Sequence, residues 1–406
     1  MLNLSRYPMV VTLADRFGYG LLLLLALMLS MTYMPFMESA HLCGMALSGL
    51  WHKLIIAVFV LLLTLSMVNV LPRDLGIFRM IVLFVGVLLL EWLILEAFLT
   101  GEAFGIEIRM LIIPLCAFWV GWRMSLDEHR MRILTLVFAL GVVLVGLVVI
   151  YVKGSGFSIT SEYFAEHKNS LGPMLSTAAV LCMGLVLSSK GRKNIPMALA
   201  GLALVGLCVL LVLTIRARAA FLAVALVLSL MLFQRFKSRY TLLSVWVAIL
   251  IVVAVFILLP HSMKQYVHQS LFSGFSGGDI SSGRIERNRQ VISVLVQDPL
   301  FGHLVNPTKV AVAHNFLLWE LYEFGFIGAF PILFIYFLFL IMDVKNTIQN
   351  HVTKLRSIGC YTMLVLFVIS MFEYTLPFGP GTSTVMSFVF FGMALKAPLK
   401  GESFIM

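Results

Sequence analysis

Apolar runs, each about 20 residues long as a hydrocarbon crossing requires, recur along nearly the whole chain and are cut by short polar or basic joints. They predict helices over 17–37, 54–71, 76–99, 105–122, 133–152, 170–189, 195–214, 219–234, 241–260, 316–342, 357–372 and 382–396, or about twelve membrane-spanning segments. Arg79, Glu91 and Glu96 interrupt the third run and Pro114 the fourth. One long polar stretch, 261–315, breaks the rhythm between the ninth and tenth runs. It carries Lys264, Arg284, Arg287, Arg289 and Lys309, with His261, His268, His303 and His314. Lipid cannot host solvated polar groups cheaply, so chemistry is expected in this loop.

Composition changes what the length means. A chain of 406 residues suggests two or three soluble domains, but 61% hydrophobic and only 12% charged residues indicate a single integral membrane domain over 1–406, all-α and polytopic. The formal net charge of +10 would suggest nucleic acid in a soluble chain; in a membrane chain it reads by position, and no nucleic-acid partner is expected. The 29 Lys and Arg divide unevenly between alternate joints. Arg123, Arg130, Arg132, Lys190, Arg192, Lys193, Arg235, Lys237 and Arg239 share a side with both termini, whereas Lys53, Arg109, Lys153, Lys168, Arg216, Arg218 and the basic residues of the long loop fall on the other. The basic-rich side is cytoplasmic by the positive-inside rule, so both termini are expected in the cytoplasm and 261–315 outside it. Arg6 and Arg16 before the first run resemble a signal peptide. That run is long enough to span and lacks a small-x-small cleavage site, which favours a retained first helix. Cys43, Cys116, Cys182, Cys208 and Cys360 are scattered without a CxxC and read as small core residues.

The outward charges are few. Arg216 and Arg218 stand in TIRARAAF, where one helix ends and the next begins almost at once, and His167 and Lys168 stand in EHKNSLG, just before the sixth run. A guanidinium is planar, permanently charged and able to grip phosphate oxygens in pairs, and a helix start adds backbone N–H groups to an anion site. A lipid-linked diphosphate fits that description. So does the plainer reading, in which the arginines pair with Glu162, Glu166, Asp279 and Glu286 or with ordinary phospholipids. His314 is followed by Asn315 and an apolar run. A histidine at a helix start is held neutral by the helix's positive end, as a general base toward a sugar hydroxyl needs; a simple capping role is the alternative. His261, His268 and His303 read as solvated loop residues. Glu320 and Glu323 fall on the first turns of the tenth run, and Glu323 is placed to orient an arginine or the base. PFGPGTS before the last run marks an outward turn. The outward loops hold no DxD pair and no His/Cys cluster, so neither a metal nor another cofactor is expected. There is no GxxxxGK[ST] either, so the energy must lie in the substrate.

Four segments together resemble the O-antigen ligase and polymerase superfamily of bacterial cell-surface polysaccharide assembly. TIRARAAFLAV (214–224) is similar to the family's Arg-small opening of a helix, with Arg218 at the family arginine, although Ile215-Arg216-Ala217 departs from the usual Ser or Thr before it. SSGRIERNRQVISVLVQDPLFG (281–302) resembles the family's loop segment, with Arg284 at its arginine. AHNFLLWELYEFGFIG (313–328) resembles an "HN…ExGxxG" pattern, with His314 and Glu323 at the family positions, and EHKNSLG (166–172) resembles an "HKN" segment. Residues 1–150 match only in hydropathy and helix number. The resemblance implies a GT-C-like, metal-independent glycosyltransferase of the inner membrane, with one large periplasmic loop and a periplasmic site. The donor would be an undecaprenyl-diphosphate-linked glycan. The acceptor would be lipid A-core in a ligase, or a second lipid-linked glycan in a polymerase. Membrane lipids surround the whole. His314, Arg284 and Arg218 would be catalytic, with Arg216, Arg287, Arg289, His167, Lys168, Asn315 and Glu323 binding substrate. From a different class, a twelve-helix transporter or flippase would show midplane polar residues and inverted repeats, and neither is evident in the sequence.

Overall fold

The computed structural model describes residues 8–35, 41–42, 45–68, 106–124, 126–153, 162–189, 194–215, 217–235, 284–304, 313–349, 355–379 and 381–395. Eleven α-helices lie among them: α1 Pro8–Ser30, α2 Leu47–Val68, α3 Ile106–Arg123, α4 Glu128–Lys153, α5 Glu162–Ser188, α6 Ile195–Thr214, α7 Arg218–Arg235, α8 Arg284–Gln297, α9 Phe316–Gln349, α10 Ile358–Ser370 and α11 Thr382–Leu395. A minimal antiparallel pair, His41–Leu42 with Met45–Ala46, lies between α1 and α2. Six of these helices contain segments long and apolar enough to cross a membrane by length and composition. The chain is a helical, membrane-embedded protein.

Helices meet ten of the predicted runs, and the runs at 76–99 and 241–260 lie outside the described residues. Several ends differ from expectation. α1 begins at Pro8 and stops at Ser30, giving way to a turn at residues 31–33, and α9 continues through Lys345 and Asn346 to Gln349. An apolar window marks only the hydrocarbon-crossing part of a helix; polar residues with adequate helix propensity extend it beyond. The polar stretch is also more structured than a loop, since α8 and a 3₁₀ turn over Gly302–Leu304 lie inside it.

α5 is the central helix, almost entirely buried along its apolar length, and it packs against α4, α6, α7 and α10. α2 is the opposite case: little of its span is buried, and one side, with Trp51, Ile55, Val58 and Phe59, packs half-buried against the core. Lipid is as apolar as leucine, so such helices associate by close packing rather than by water exclusion, and small residues at crossings let backbones approach. α3 and α11 meet in this way: a Cβ on Gly121 would strike the Val389 carbonyl, and one on Gly392 the Phe118 carbonyl.

α9 is the long element that joins the bundle to the polar segment. At about 1.5 Å per residue its 34 residues would run some 50 Å, well past a hydrocarbon core of about 30 Å. It is therefore broken. Gly325 sits at φ 64°, ψ −174°, a region essentially closed to side-chain-bearing residues. The break separates a short outer segment carrying Glu320 and Glu323 from the long apolar remainder.

Candidate functional site

The outer segment of α9 starts from a built cap. Asn315 accepts a hydrogen bond from the Leu318 N–H at 3.0 Å through its side-chain oxygen, satisfying one of the orphan donors of the first turn. Its amide donates to the Met371 carbonyl at 3.2 Å, which ties the start of α9 to the end of α10. His314, one residue earlier, is thereby fixed beside the turn that follows α10.

α8 lies across this segment. Val291, Ala313 and Tyr322 form a small buried cluster with Val294, Leu318 and Trp319 against it, separate from the main core. The chain after α8 then clips into the break in α9. The Phe326 N–H donates to the Pro299 carbonyl at 2.9 Å and the Ile327 N–H to the Leu300 carbonyl at 3.1 Å. Gly302, at φ 59°, lies against the Tyr322 carbonyl and the Gly325 amide, with no room for a Cβ. The DPLFG and EFGFIG segments therefore interlock, each glycine admitting the other's backbone.

This docking places two arginines, three residues apart on α8, in the site. Arg287 Nη1 lies 2.8 Å from His314 Nε2. A guanidinium only donates, so Nε2 is the acceptor and carries a lone pair, which makes the imidazole neutral in this arrangement. Arg284 Nη2 lies 3.1 Å from Glu373 Oε1, and Asn169 donates to Glu373 Oε2 at 3.0 Å. Glu373 is almost wholly buried, and Arg284 keeps 29% of its side chain exposed. Arg284 is also the first residue of α8, where the positive helix end disfavours a cation; the carboxylate offsets that cost. Among the described residues one N–H of the guanidinium is committed to Glu373, and a guanidinium fork has five donors with which to grip an anion.

Asn169 belongs to EHKNSLG. One turn further along α5, Gly172 touches Ala217 and Ala220, and the Ser176 hydroxyl donates to the Ala220 carbonyl at 3.1 Å. The start of α7 at Arg218 is thus packed directly on the EHKNSLG helix, and the Arg218 side chain is exposed. The four sequence segments, distant along the chain, form one continuous chain of contacts: Ala217 and Ala220 to Gly172, Asn169 to Glu373 to Arg284, and Arg287 to His314.

Not every expected residue joins it. Arg289 is 75% exposed and paired with Glu286 at 3.4 Å on the outer face of α8. Glu323 Oε2 lies 3.9 Å from His303 Nδ1. His303, expected to be solvated, is half-buried with its ring 5.2 Å from that of Tyr322, because the glycine clip folds the 3₁₀ turn back onto α9. Glu320 is buried. Arg216, His261 and His268 lie outside the described residues, as do the side chains of His167 and Lys168. Glu373 was not anticipated. Its signal was present as a lone acid directly after an apolar run, which is costly at membrane depth unless paired. No group of three or more His, Cys, Asp or Glu placed to hold a metal occurs among the described residues. No family model matches the chain, and no curated protein matches it significantly.

Proposed function

We propose that this chain transfers a glycan from an undecaprenyl-diphosphate-linked donor to a sugar hydroxyl of lipid A-core at the periplasmic face of a bacterial inner membrane, as an O-antigen ligase does. The observation that carries the reading is the pairing of Arg284 and Arg287 with a buried carboxylate and an imidazole beside an apolar helical bundle. Such a site suits a substrate with its chain in lipid and its charge at the surface. Twelve spans and a GT-C-like fold belong to the same proposal.

The donor's diphosphate is held by Arg284 and Arg218, with Arg216 beside them. The doubly charged diphosphate attracts a guanidinium more strongly than a neutral imidazole does, so Arg287 turns from His314 to the diphosphate when the donor arrives. That exchange frees the Nε2 lone pair. His314 takes the proton of the acceptor hydroxyl; the hydroxyl oxygen bonds to the anomeric carbon, the bond from that carbon to the diphosphate breaks, and its electron pair leaves with the undecaprenyl diphosphate. A single displacement inverts the anomeric centre. Arg287 in this account holds the base quiet until the donor is bound.

The test is transfer by purified protein in nanodiscs, with lipid-linked glycan supplied with and without lipid A-core. Product only when core is present supports the ligase. Product without core supports a polymerase or a related exopolysaccharide enzyme, the second reading, which the resemblance of EHKNSLG to such proteins supports. His314→Ala should lower transfer about 10²- to 10⁴-fold with unchanged thermal unfolding. Full activity in that variant, or loss of wild-type activity on EDTA treatment, overturns the mechanism.

A further inference from the structure

We infer that α8 lies in the plane of the membrane interface, with Ile285, Ile292 and Val296 set among lipid acyl chains. At about 100° per residue, the exposed and buried positions of α8 sort into three faces rather than two. Val291 is buried toward α9, with Arg284, Asn288, Val294 and Leu295 half-buried around it and Arg287, exposed on the same side, reaching His314. Glu286, Arg289, Gln290, Ser293 and Gln297 form a continuous exposed polar face. Between them, within an arc of about 40°, stand Ile285, Ile292 and Val296, exposed to 66%, 49% and 72%.

A stripe of this kind on a helix facing water would have no reason to be apolar. Its surroundings supply one. Leu300, exposed just after α8, is hydrogen-bonded through its carbonyl to Ile327 at the start of the long part of α9. There Phe326, Ile327 and Phe330 are exposed, followed down the helix by Phe337 and Ile341. The chain that follows the apolar stripe of α8 is thus joined, at exposed Leu300, to the exposed apolar side of a helix long and apolar enough to cross a membrane. A helix with one narrow apolar stripe and a charged upper face is the form that settles at the acyl-headgroup boundary. Three side chains are far short of the roughly 800 Å² per partner that a stable protein interface needs, and lipid sets no such minimum. The inference rests on the chain's being membrane-embedded and not on glycan transfer.

Spin labels on single cysteines test it in nanodiscs of phosphatidylethanolamine and phosphatidylglycerol. I292C and V296C report the apolar stripe, and Q290C and S293C the polar face; all four positions are exposed, so the fold should tolerate them. A background with Cys43→Ser and Cys116→Ala carries all four variants and serves as the labelling blank, its remaining Cys182, Cys208 and Cys360 being buried. Collisions with oxygen should dominate at 292 and 296, and collisions with a water-soluble nickel chelate at 290 and 293. Nickel-dominated collisions at 292 and 296 put the stripe in water and overturn the inference. Shielding of those two positions from both reagents puts protein over the stripe, whether a second copy or another partner, and overturns it equally.

Discussion

The two ends of α9 both carry polar groups, and they treat them differently. At the His314 end, three contacts between polar groups remain partly open to solvent: Arg284 with Glu373, Arg287 with His314, His303 with Glu323. At the other end Asp343 is fully buried, and among the described residues neither carboxylate oxygen has a nitrogen or oxygen hydrogen-bond partner; the Cys360 thiol is its polar neighbour. Around it Gln234 of α7 accepts a hydrogen bond from the Tyr361 hydroxyl of α10 and donates to the Thr347 carbonyl of α9 at 3.1 Å. Polarity alone therefore does not mark a site. What distinguishes the His314 end is access together with arginines whose present partners a stronger anion can displace; the Asp343 end is closed, and its bonds tie three helices together.

The largest effect on stability that this contrast predicts comes from Arg284→Ala. Removing the arginine takes from the buried Glu373 carboxylate its cationic partner, and breaking a buried pair from one side costs about 3–5 kcal/mol. Thermal unfolding in detergent should show a marked loss. Adding Glu373→Gln to Arg284→Ala should restore most of it, because the uncompensated charge is gone. That pair of variants also separates folding from chemistry: on the proposed mechanism the double variant regains stability and stays defective in transfer. Recovery of both would assign Arg284 to structure alone and erase the difference between the two ends.

Gly325→Ala should come next, costing about 1–3 kcal/mol for a side chain forced into a region of φ and ψ reserved for glycine, with the Leu300 carbonyl in the way as well. Because the clip at 299–302 holds α8 onto α9, limited proteolysis within 284–304 should accelerate more than cleavage elsewhere. Equal acceleration throughout the chain would mean that α8 is held by its Val291 contacts and not by the glycine clip.

How far these features were legible in the sequence depends on their range. Helices met ten predicted runs because an apolar run of sufficient length has few alternatives in lipid. The helix start at Arg218 followed from a local signal, the junction in TIRARAAF, whereas the cap that Asn315 forms and the contact of His314 with Arg287 were not read from it. Nor were the partners. Glu373 lies 89 residues from Arg284 and 204 from Asn169, and nothing in a single sequence tells which acid closes on which arginine across three helices. His303 was misread for the same reason: its environment is made by Gly302 and Gly325, and two glycines 23 positions apart show no sign in the sequence that their backbones meet. The three faces of α8 needed the packing partner, since an isoleucine such as Ile292 reads as core until the core is seen to be elsewhere.

The smallest effect is expected from Asp343→Asn, and it bears most directly on the comparison. Asparagine keeps the shape of the side chain and removes the acid, so Cys360 and the helix packing around the position are undisturbed. If the buried end of α9 serves only to hold α7, α9 and α10 together, unfolding should shift by no more than about 1 kcal/mol, the scale of one net hydrogen bond, and transfer should keep its wild-type rate. A variant that folds as well as the wild type but transfers glycan poorly would show that the carboxyl itself takes part. The two ends of α9 would then have to be treated as one functional unit, coupled along a helix already broken at Gly325.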